Sequence, residues 1–239
     1  MSARVQIELK IDGQAKRVEF DAPRGERVRP ATLLPVLRQF SNVMVESAEE
    51  AAAEPISCTK GCGACCRQLV PIREMEARRL TAFVRGMPEP RRTKILERFA
   101  SAAEGVKAPG LRERIDRRDE LEPAERVALK LDYFALGIAC PFLEEESCGI
   151  YDERPMICRE HLVTSPAAAC ADPRAGAIRT LPMHRADSAA AKLEARTGGP
   201  EWIALIDLLD WVEAHPEDEA ERRDPREMIE EFLQELVGG

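Results

Sequence analysis

Hydrophobic and polar residues alternate near the start of the chain, in residues 5–10 (VQIELK) and again in residues 17–20 (RVEF). Alternation is the pattern of a strand with one buried face. Asp12 and Gly13 lie between the two segments, and an Asp-Gly pair favours a tight two-residue turn. The pattern predicts a β-hairpin.

Beyond residue 30 the apolar residues recur every three or four positions, which is the spacing of one helix face. The first such stretch begins at Pro30 and ends before Pro55, and Pro35 fits it because proline is tolerated in a first turn. A short strand is predicted at 178–181. Further helices are predicted at 74–84, 89–105, 111–120, 123–136, 201–214 and 225–237.

Composition and charge limit the class of protein. The 239 residues are 44% hydrophobic and 33% charged, which is typical of a globular chain that can bury a core. The formal net charge of −8 argues against nucleic acid or an anionic membrane as the main partner. The chain begins without the apolar run of a secretory signal, and no segment approaches 18 apolar residues. We therefore expect a cytoplasmic protein that does not enter the membrane.

Four of the eight cysteines lie within nine residues, in the sequence CTKGCGACCRQ at 58–68. Disulfides, a metal or iron–sulfur site, and a redox thiol pair are three uses of such a cluster. A reducing cytoplasm does not maintain structural disulfides, and the CxxC at 62–65 lacks the βαβ context of a redox motif. A metal or iron–sulfur site is favoured. The four cysteines are Cys58, Cys62, Cys65 and Cys66.

The spacing within this cluster suggests how the thiols are used. Gly61 and Gly63 flank Cys62, and glycine lets backbone N–H groups turn toward a thiolate. Cys65 and Cys66 are adjacent, so their side chains diverge and do not easily reach one metal. The pair therefore serves two sites, or one of the two is a ligand and the other packs beside it.

The remaining cysteines are spread over residues 140–170, with seven, nine and eleven residues between them. These intervals are wider than the close thiolate pairs of a zinc knuckle. All eight cysteines nevertheless lie between 58 and 170, which predicts one shared function. We expect a composite site with ligands from both groups, closed over a helical excursion of the chain. The second group is Cys140, Cys148, Cys158 and Cys170, so all eight are candidate metal ligands.

Two arginines flank Cys158 in the sequence RPMICR. Arg154 and Arg159 could neutralise thiolate charge or bind an anionic substrate, and both are candidate cofactor-binding residues. The alternative is structural pairing with acidic residues such as those at 144–146. His161 could add a nitrogen ligand, although a supporting role is more common for such a histidine. No phosphate-binding loop, Ser/His/Asp set or HExxH motif identifies a catalytic residue.

The segments CTKGCGACCRQLVPI and CPFL…SCGIYDERPMICREH resemble the YkgJ-like cysteine-cluster family, a zinc- or iron-chelating domain with the pattern CxxCxxCC. The resemblance covers roughly residues 58–170. The first interval here, after Cys58, is three residues where the family pattern has two. The resemblance implies metal chelation, and a related cysteine motif occurs in flagellin lysine methylases.

A radical-SAM enzyme is a competing interpretation, because Cys58-x3-Cys62-x2-Cys65 has the spacing that holds a four-iron cluster in those proteins. Radical-SAM enzymes place this loop after the first strand of a (β/α) barrel, usually with an aromatic residue before the last cysteine. Here the loop follows a helix, residue 64 is alanine, and residues 72–136 are predicted to be helical. The interpretation is not favoured.

The sequence thus predicts a mainly α fold with an N-terminal β-hairpin and an irregular Cys-rich metal-binding segment. We divide it into an N-terminal hairpin and helix (1–55), a cysteine-cluster metal-binding domain with a helical excursion (56–175) and a C-terminal helical extension (176–239).

We expect the cysteines to chelate zinc or an iron–sulfur cluster. Iron–sulfur is favoured, because Cys140-Pro141 is a ferredoxin-type pair and eight thiols exceed the need of one structural zinc. The alternatives are a metal-dependent enzyme that modifies a protein or peptide, and a zinc-stapled module that binds a protein partner.

Overall fold

The N-terminal hairpin forms as predicted. A computed structural model of the chain describes residues 2–23, 27–107, 110–176, 178–196, 198–217 and 222–238. Strands β1 (Ser2–Ile11) and β2 (Gln14–Pro23) pair antiparallel, and Asp12 and Gly13 both adopt positive φ in the turn between them. One face of the hairpin is buried and consists of Leu9, Ile11, Val18, Phe20 and Ala22.

The described part of the chain is otherwise mainly helical, in agreement with the sequence. A 3₁₀ turn at Pro30–Leu33 leads into the first helix. The helices are α1 (Leu34–Ala51), α2 (Glu74–Arg85), α3 (Arg91–Gly105), α4 (Leu111–Asp116), α5 (Pro123–Ala135), α6 (Met156–Arg159), α7 (Ala186–Ala195), α8 (Leu208–Ala214) and α9 (Pro225–Val237). None of them is long and apolar enough to cross a membrane.

The prediction of one helix over 201–214 is wrong in its first half. Residues 202–206 are buried on every side, which suits a short buried strand better than one face of a helix. Strands β4 (Leu143–Glu144) and β5 (Ser147–Cys148) form a short hairpin. Strand β6 (Ile203–Ala204) pairs with β3 (Pro71–Ile72), and a 3₁₀ turn separates it from α8. The predicted strand at 178–181 is reduced to a single β-bridge between Thr180 and Val163. Helix α7 was not predicted.

Two packed cores position the cysteine-rich segment. The hairpin, α1, α7 and α9 share the first core, where the Phe40 ring lies 5.2 Å from that of Phe20 and 5.7 Å from that of Phe232. The second core joins α2, α3, α8 and the β3–β6 pair, and Phe142 and Ile150 of the irregular segment pack into it. The proposed division of the chain at residues 55 and 175 stays a prediction.

A buried carboxyl group on α7 holds the start of α2. Glu194 is 3% exposed, and its carboxyl oxygens accept hydrogen bonds from the backbone N–H groups of Glu74 (2.9 Å) and Met75 (2.8 Å). Burial raises the pKa of Glu194 from 4.5 to about 7, and the two backbone hydrogen bonds and the charge of Arg73 oppose this rise only in part. Between those two pH values the folded protein keeps a proton that the unfolded chain has released.

The free energy of unfolding should therefore fall as pH rises from about 4.5 to about 7 and lose this dependence above pH 7. We expect Glu194→Gln to reduce that fall by about 3 kcal/mol in urea titrations at several pH values. Glu97→Gln, which changes an exposed glutamate on α3, is the matched control. An unchanged pH profile in Glu194→Gln would contradict the prediction.

Candidate metal centre

The first cysteine loop connects α1 to β3 through a series of tight turns. Backbone hydrogen bonds join the N–H of Cys62 to Thr59 O (3.1 Å) and the N–H of Cys66 to Gly63 O (2.9 Å). These turns coil residues 58–66 so that four thiols project from one short segment. The loop has no helix or strand of its own.

Two backbone contacts bring the second cysteine group against this loop. The N–H of Cys140 donates to Cys66 O at 2.7 Å, and the N–H of Ser57 donates to Val163 O at 2.9 Å. The 73 residues between Cys66 and Cys140 thus leave the loop and return to it. Main-chain hydrogen bonds therefore hold the two ends of this excursion together.

All eight cysteines line one cavity of about 180 Å³. Seven of the cysteine residues are half-buried overall, Cys170 is buried, and none forms a disulfide. Apolar side chains, among them Val70, Phe142, Ile150 and Leu205, complete the wall. Among the described residues, no three Cys, His, Asp or Glu side chains already form a metal-binding group, so binding would require the thiol side chains to rotate. The structure brings together every cysteine that the sequence singled out.

Most thiols of the cavity have a pKa above the ordinary value for a thiol. Burial raises the pKa of Cys140 to about 12 and raises that of Cys158 well above the ordinary value for a thiol. Cys65 differs, because a hydrogen bond from the Cys66 thiol holds the pKa of Cys65 at about 7 and raises that of Cys66. A metal ion would have to displace protons from the other thiols, since thiolates are the ligands.

The thiols form two groups on either side of Cys65. Six thiols have a raised pKa, mainly through burial or, at Cys66, through the hydrogen bond to Cys65, and negative charge on neighbouring thiols raises each pKa further. The six are Cys58, Cys66, Cys140, Cys148, Cys158 and Cys170. Cys65 is a neighbour of thiols in both groups. The contacts of Cys66 with Cys140, and of the Cys58 thiol with His161 O at 3.8 Å, agree with this division. The groups are Cys58, Cys62 and Cys170 on one side, and Cys66, Cys140, Cys148 and Cys158 on the other.

Arg154 and Arg159 both line the cavity but differ in their contacts. The Arg154 guanidinium lies 3.7 Å above the centre of the Tyr151 ring, and its charge lowers the pKa of Cys65. Arg159 donates hydrogen bonds to the backbone oxygens of Arg154 and Asp152. Neither arginine has a carboxylate partner among the described residues. The acidic residues at 144–146 form ion pairs with other arginines. Glu144 pairs with Arg91 and Arg98, and Glu146 pairs with Arg67.

His161 also lines the cavity, and burial lowers its pKa so that the ring is neutral. Its Nε2 atom is buried and has no hydrogen-bond partner in the described part of the chain.

A buried acidic residue that the sequence did not reveal supports the cysteine site. Glu76 on α2 is fully buried and accepts a hydrogen bond from the N–H of Met156 at 2.7 Å, at the start of α6. It thereby fixes the short helix that contains Cys158. Glutamate is rarely buried, so a glutamate in an amphipathic helix is expected to face solvent. Nothing in the sequence therefore marks Glu76 as a buried residue.

Gly63 is a second residue on which the loop depends. A Cβ atom at this position would lie 2.4 Å from Glu146 O and 2.8 Å from Leu143 Cδ1. We expect Gly63→Ala to push the first loop away from the hairpin at 143–148. Overpacking of this kind costs about 1–3 kcal/mol of unfolding free energy.

Gly63→Ala should also lower metal content, because it separates Cys66 from Cys148. Gly86→Ala is the matched control, since a Cβ there meets only ordinary contacts at 3.4 Å or more. Denaturant titration and metal analysis of both variants check the prediction. Equal stability and metal content in the two variants would contradict it.

Comparison with known families identifies the cysteine-containing part of the chain as a metal-chelating domain. A family model named CxxCxxCC, with the description "Putative zinc- or iron-chelating domain", matches residues 57–177. No curated protein and no solved structure matched the chain. The family match spans half of the chain and includes all eight cysteines. The chain belongs to the CxxCxxCC family.

Proposed function

We propose that the protein chelates zinc or an iron–sulfur cluster through its eight cysteines. The main support is that all eight thiols line one cavity, although 73 residues separate the two groups in sequence. Packing cysteines would not be expected to gather so completely. The donor set fits the proposed metals, because thiolates select zinc and iron–sulfur clusters over magnesium or calcium.

We further propose that the thiols act as two sets of four. Cys65 would join Cys58, Cys62 and Cys170, while Cys66 would join Cys140, Cys148 and Cys158. Adjacent Cys65 and Cys66 then serve different sets, as their diverging side chains require. Each set takes ligands from both sides of the excursion, so each bound metal would help to hold the excursion closed.

Iron–sulfur is the favoured form of the metal. Two sets of four thiolates suit two clusters or two zinc ions equally well, but Cys140-Pro141 is a ferredoxin-type pair. The apolar wall of the cavity also suits an iron–sulfur cluster, because proteins set the reduction potential of such a cluster partly by shielding it from solvent.

Arg154 is the residue best placed to balance thiolate charge. Its guanidinium lines the cavity, lowers the pKa of Cys65, and has no carboxylate partner in the described ranges. The contacts of Arg159 with backbone oxygens favour a structural role, since they fix the loop at 152–159. We propose that Arg154 stabilises the metal-bound thiolates and that Arg159 positions Arg154.

Metal analysis of protein purified without air tests the proposal. We expect one or more equivalents of iron or zinc per chain, since cysteine sites of this kind bind metal tightly. Brown protein with acid-labile sulfide would identify an iron–sulfur cluster, and colourless protein with zinc would identify zinc. Less than about half an equivalent of iron plus zinc would contradict chelation.

An enzyme that modifies a protein or peptide is the second candidate. The observation that favours it is the extent of the cavity, which continues past the thiols to Val45, Glu49 and Ala167. A catalytic metal keeps an open coordination position, whereas a structural one is closed. Addition of imidazole should change the visible spectrum of the iron-loaded protein, or of cobalt-substituted protein if the native metal is the colourless zinc, if such a position exists. An unchanged spectrum would favour a closed, structural site.

A further inference from the structure

A groove of about 590 Å³ lies outside α6, next to the cysteine cavity. The 3₁₀ turn before α1 and the first half of α1 form one wall, and residues 152–159 and α2 form the other. We call it the arginine groove, because three arginines face it. Its charged and polar lining consists of Arg38, Arg79, Arg159, Asp152, Glu153, Thr32, Gln39 and Asn42.

Positive charge exceeds negative charge in the arginine groove. Glu153 is shared by two arginines, since it pairs with Arg38 Nη1 at 2.6 Å and with Arg79 Nη2 at 2.6 Å. Arg159 has no carboxylate partner among the described residues and bonds to neutral oxygens, including Asn42 Oδ1 at 3.3 Å. The three arginines thus face only two acidic residues, in a chain whose formal net charge is −8.

One further feature fits an anionic ligand. The Nε atom of Arg38 is buried and has no hydrogen-bond partner in the part of the chain that the structure describes. Unpaired positive charge at a part-buried site is costly, and an incoming oxyanion would reduce that cost.

We propose that the arginine groove binds a small ligand through an oxyanion, either a carboxylate or a phosphate. The planar guanidinium group matches both oxyanions through paired N–H donors. The side chains of Thr32, Gln39 and Asn42 provide neutral hydrogen-bonding groups beside the cations. The volume lies within the range of small-molecule sites.

The proposed anion site and the proposed metal site are neighbours that share a single lining residue. Arg159 is the one residue that lines both the arginine groove and the cysteine cavity. Binding in the groove needs no cysteine, so the inference does not rest on the proposed function. Metal content and anion affinity can therefore be measured on the same protein as independent results.

Calorimetric titration of the full chain with inorganic phosphate and with citrate tests the proposal, at constant ionic strength set with chloride. We expect saturable binding of at least one of the two, and the stronger one identifies the oxyanion. Arg79→Gln should weaken that binding about tenfold, because it removes one charge-assisted contact. Glu153 keeps Arg38 as a partner in this variant, so the fold should be retained.

Arg92→Gln is the matched control. Like Arg79, Arg92 is a helix arginine paired with one glutamate, and the exposed fractions of the two side chains are similar (41% and 51%), but Arg92 is not part of the groove. The affinity of Arg92→Gln for the anion should equal that of the wild type. No saturable binding of either anion, or equal weakening in Arg79→Gln and Arg92→Gln, would overturn the proposal. A normal metal content with no anion binding would reject the proposed anion site and leave the proposed metal chelation unaffected.

Discussion

Removal of the metal should lower the thermal midpoint of unfolding by about 10 °C or more. Residues 137–172 contain only two-residue strands and one-turn helices, so few backbone hydrogen bonds of regular structure hold them. Metal–thiolate bonds would supply the missing stability. A ligand present at a thousand times its dissociation constant stabilises the folded state by about 4 kcal/mol, which sets the expected scale.

Calorimetric scans of the metal-loaded protein, before and after treatment with a strong chelator, measure this change. Cys158→Ser serves as the control for direct effects of the chelator, because a variant with reduced metal content should respond less. An unmoved midpoint after complete loss of metal would show that the site is peripheral to the fold. The Cys66–Cys140 and Ser57–Val163 backbone contacts would then be sufficient to hold the excursion.

Local patterns were enough to predict most of the fold. The hairpin follows from alternation and from the Asp12-Gly13 turn, and the helices α1, α2, α3, α5 and α9 follow from apolar spacing. Helix α7 was not predicted because its buried face is largely alanine, which gives a weak hydrophobic signal. The segment 202–206 was misread because an uninterrupted apolar run fits a buried strand and a helix equally well.

The sequence singles out the candidate site residues but does not indicate how they are arranged. Segregation of the eight cysteines between 58 and 170 indicates that they act together. Their division into two groups depends on contacts between residues far apart in sequence, such as Cys66 with Cys140. The support from Glu76 and the shared pairing of Glu153 also depend on tertiary contacts, because neither has a sequence pattern that marks it.

Single Cys→Ser substitutions should each remove about half of the bound metal if the thiols act as two sets of four. Cys62→Ser and Cys65→Ser should deplete one set, and Cys66→Ser and Cys158→Ser should deplete the other. Serine is nearly isosteric but is a poor ligand for zinc or for iron–sulfur clusters. The double variant Cys62→Ser/Cys158→Ser should therefore lose nearly all metal, whereas Cys62→Ser/Cys65→Ser should retain about half.

Mass-spectrometric metal analysis of anaerobically purified variants gives the result directly. Thr59→Ser is the matched control, because it lies in the same loop and changes no thiol. Complete loss of metal in every single variant would indicate one shared centre in place of two. Complete loss in Cys65→Ser alone would show that this thiolate binds both metals, as its position between the two groups allows, and would contradict the division into two separate sets of four.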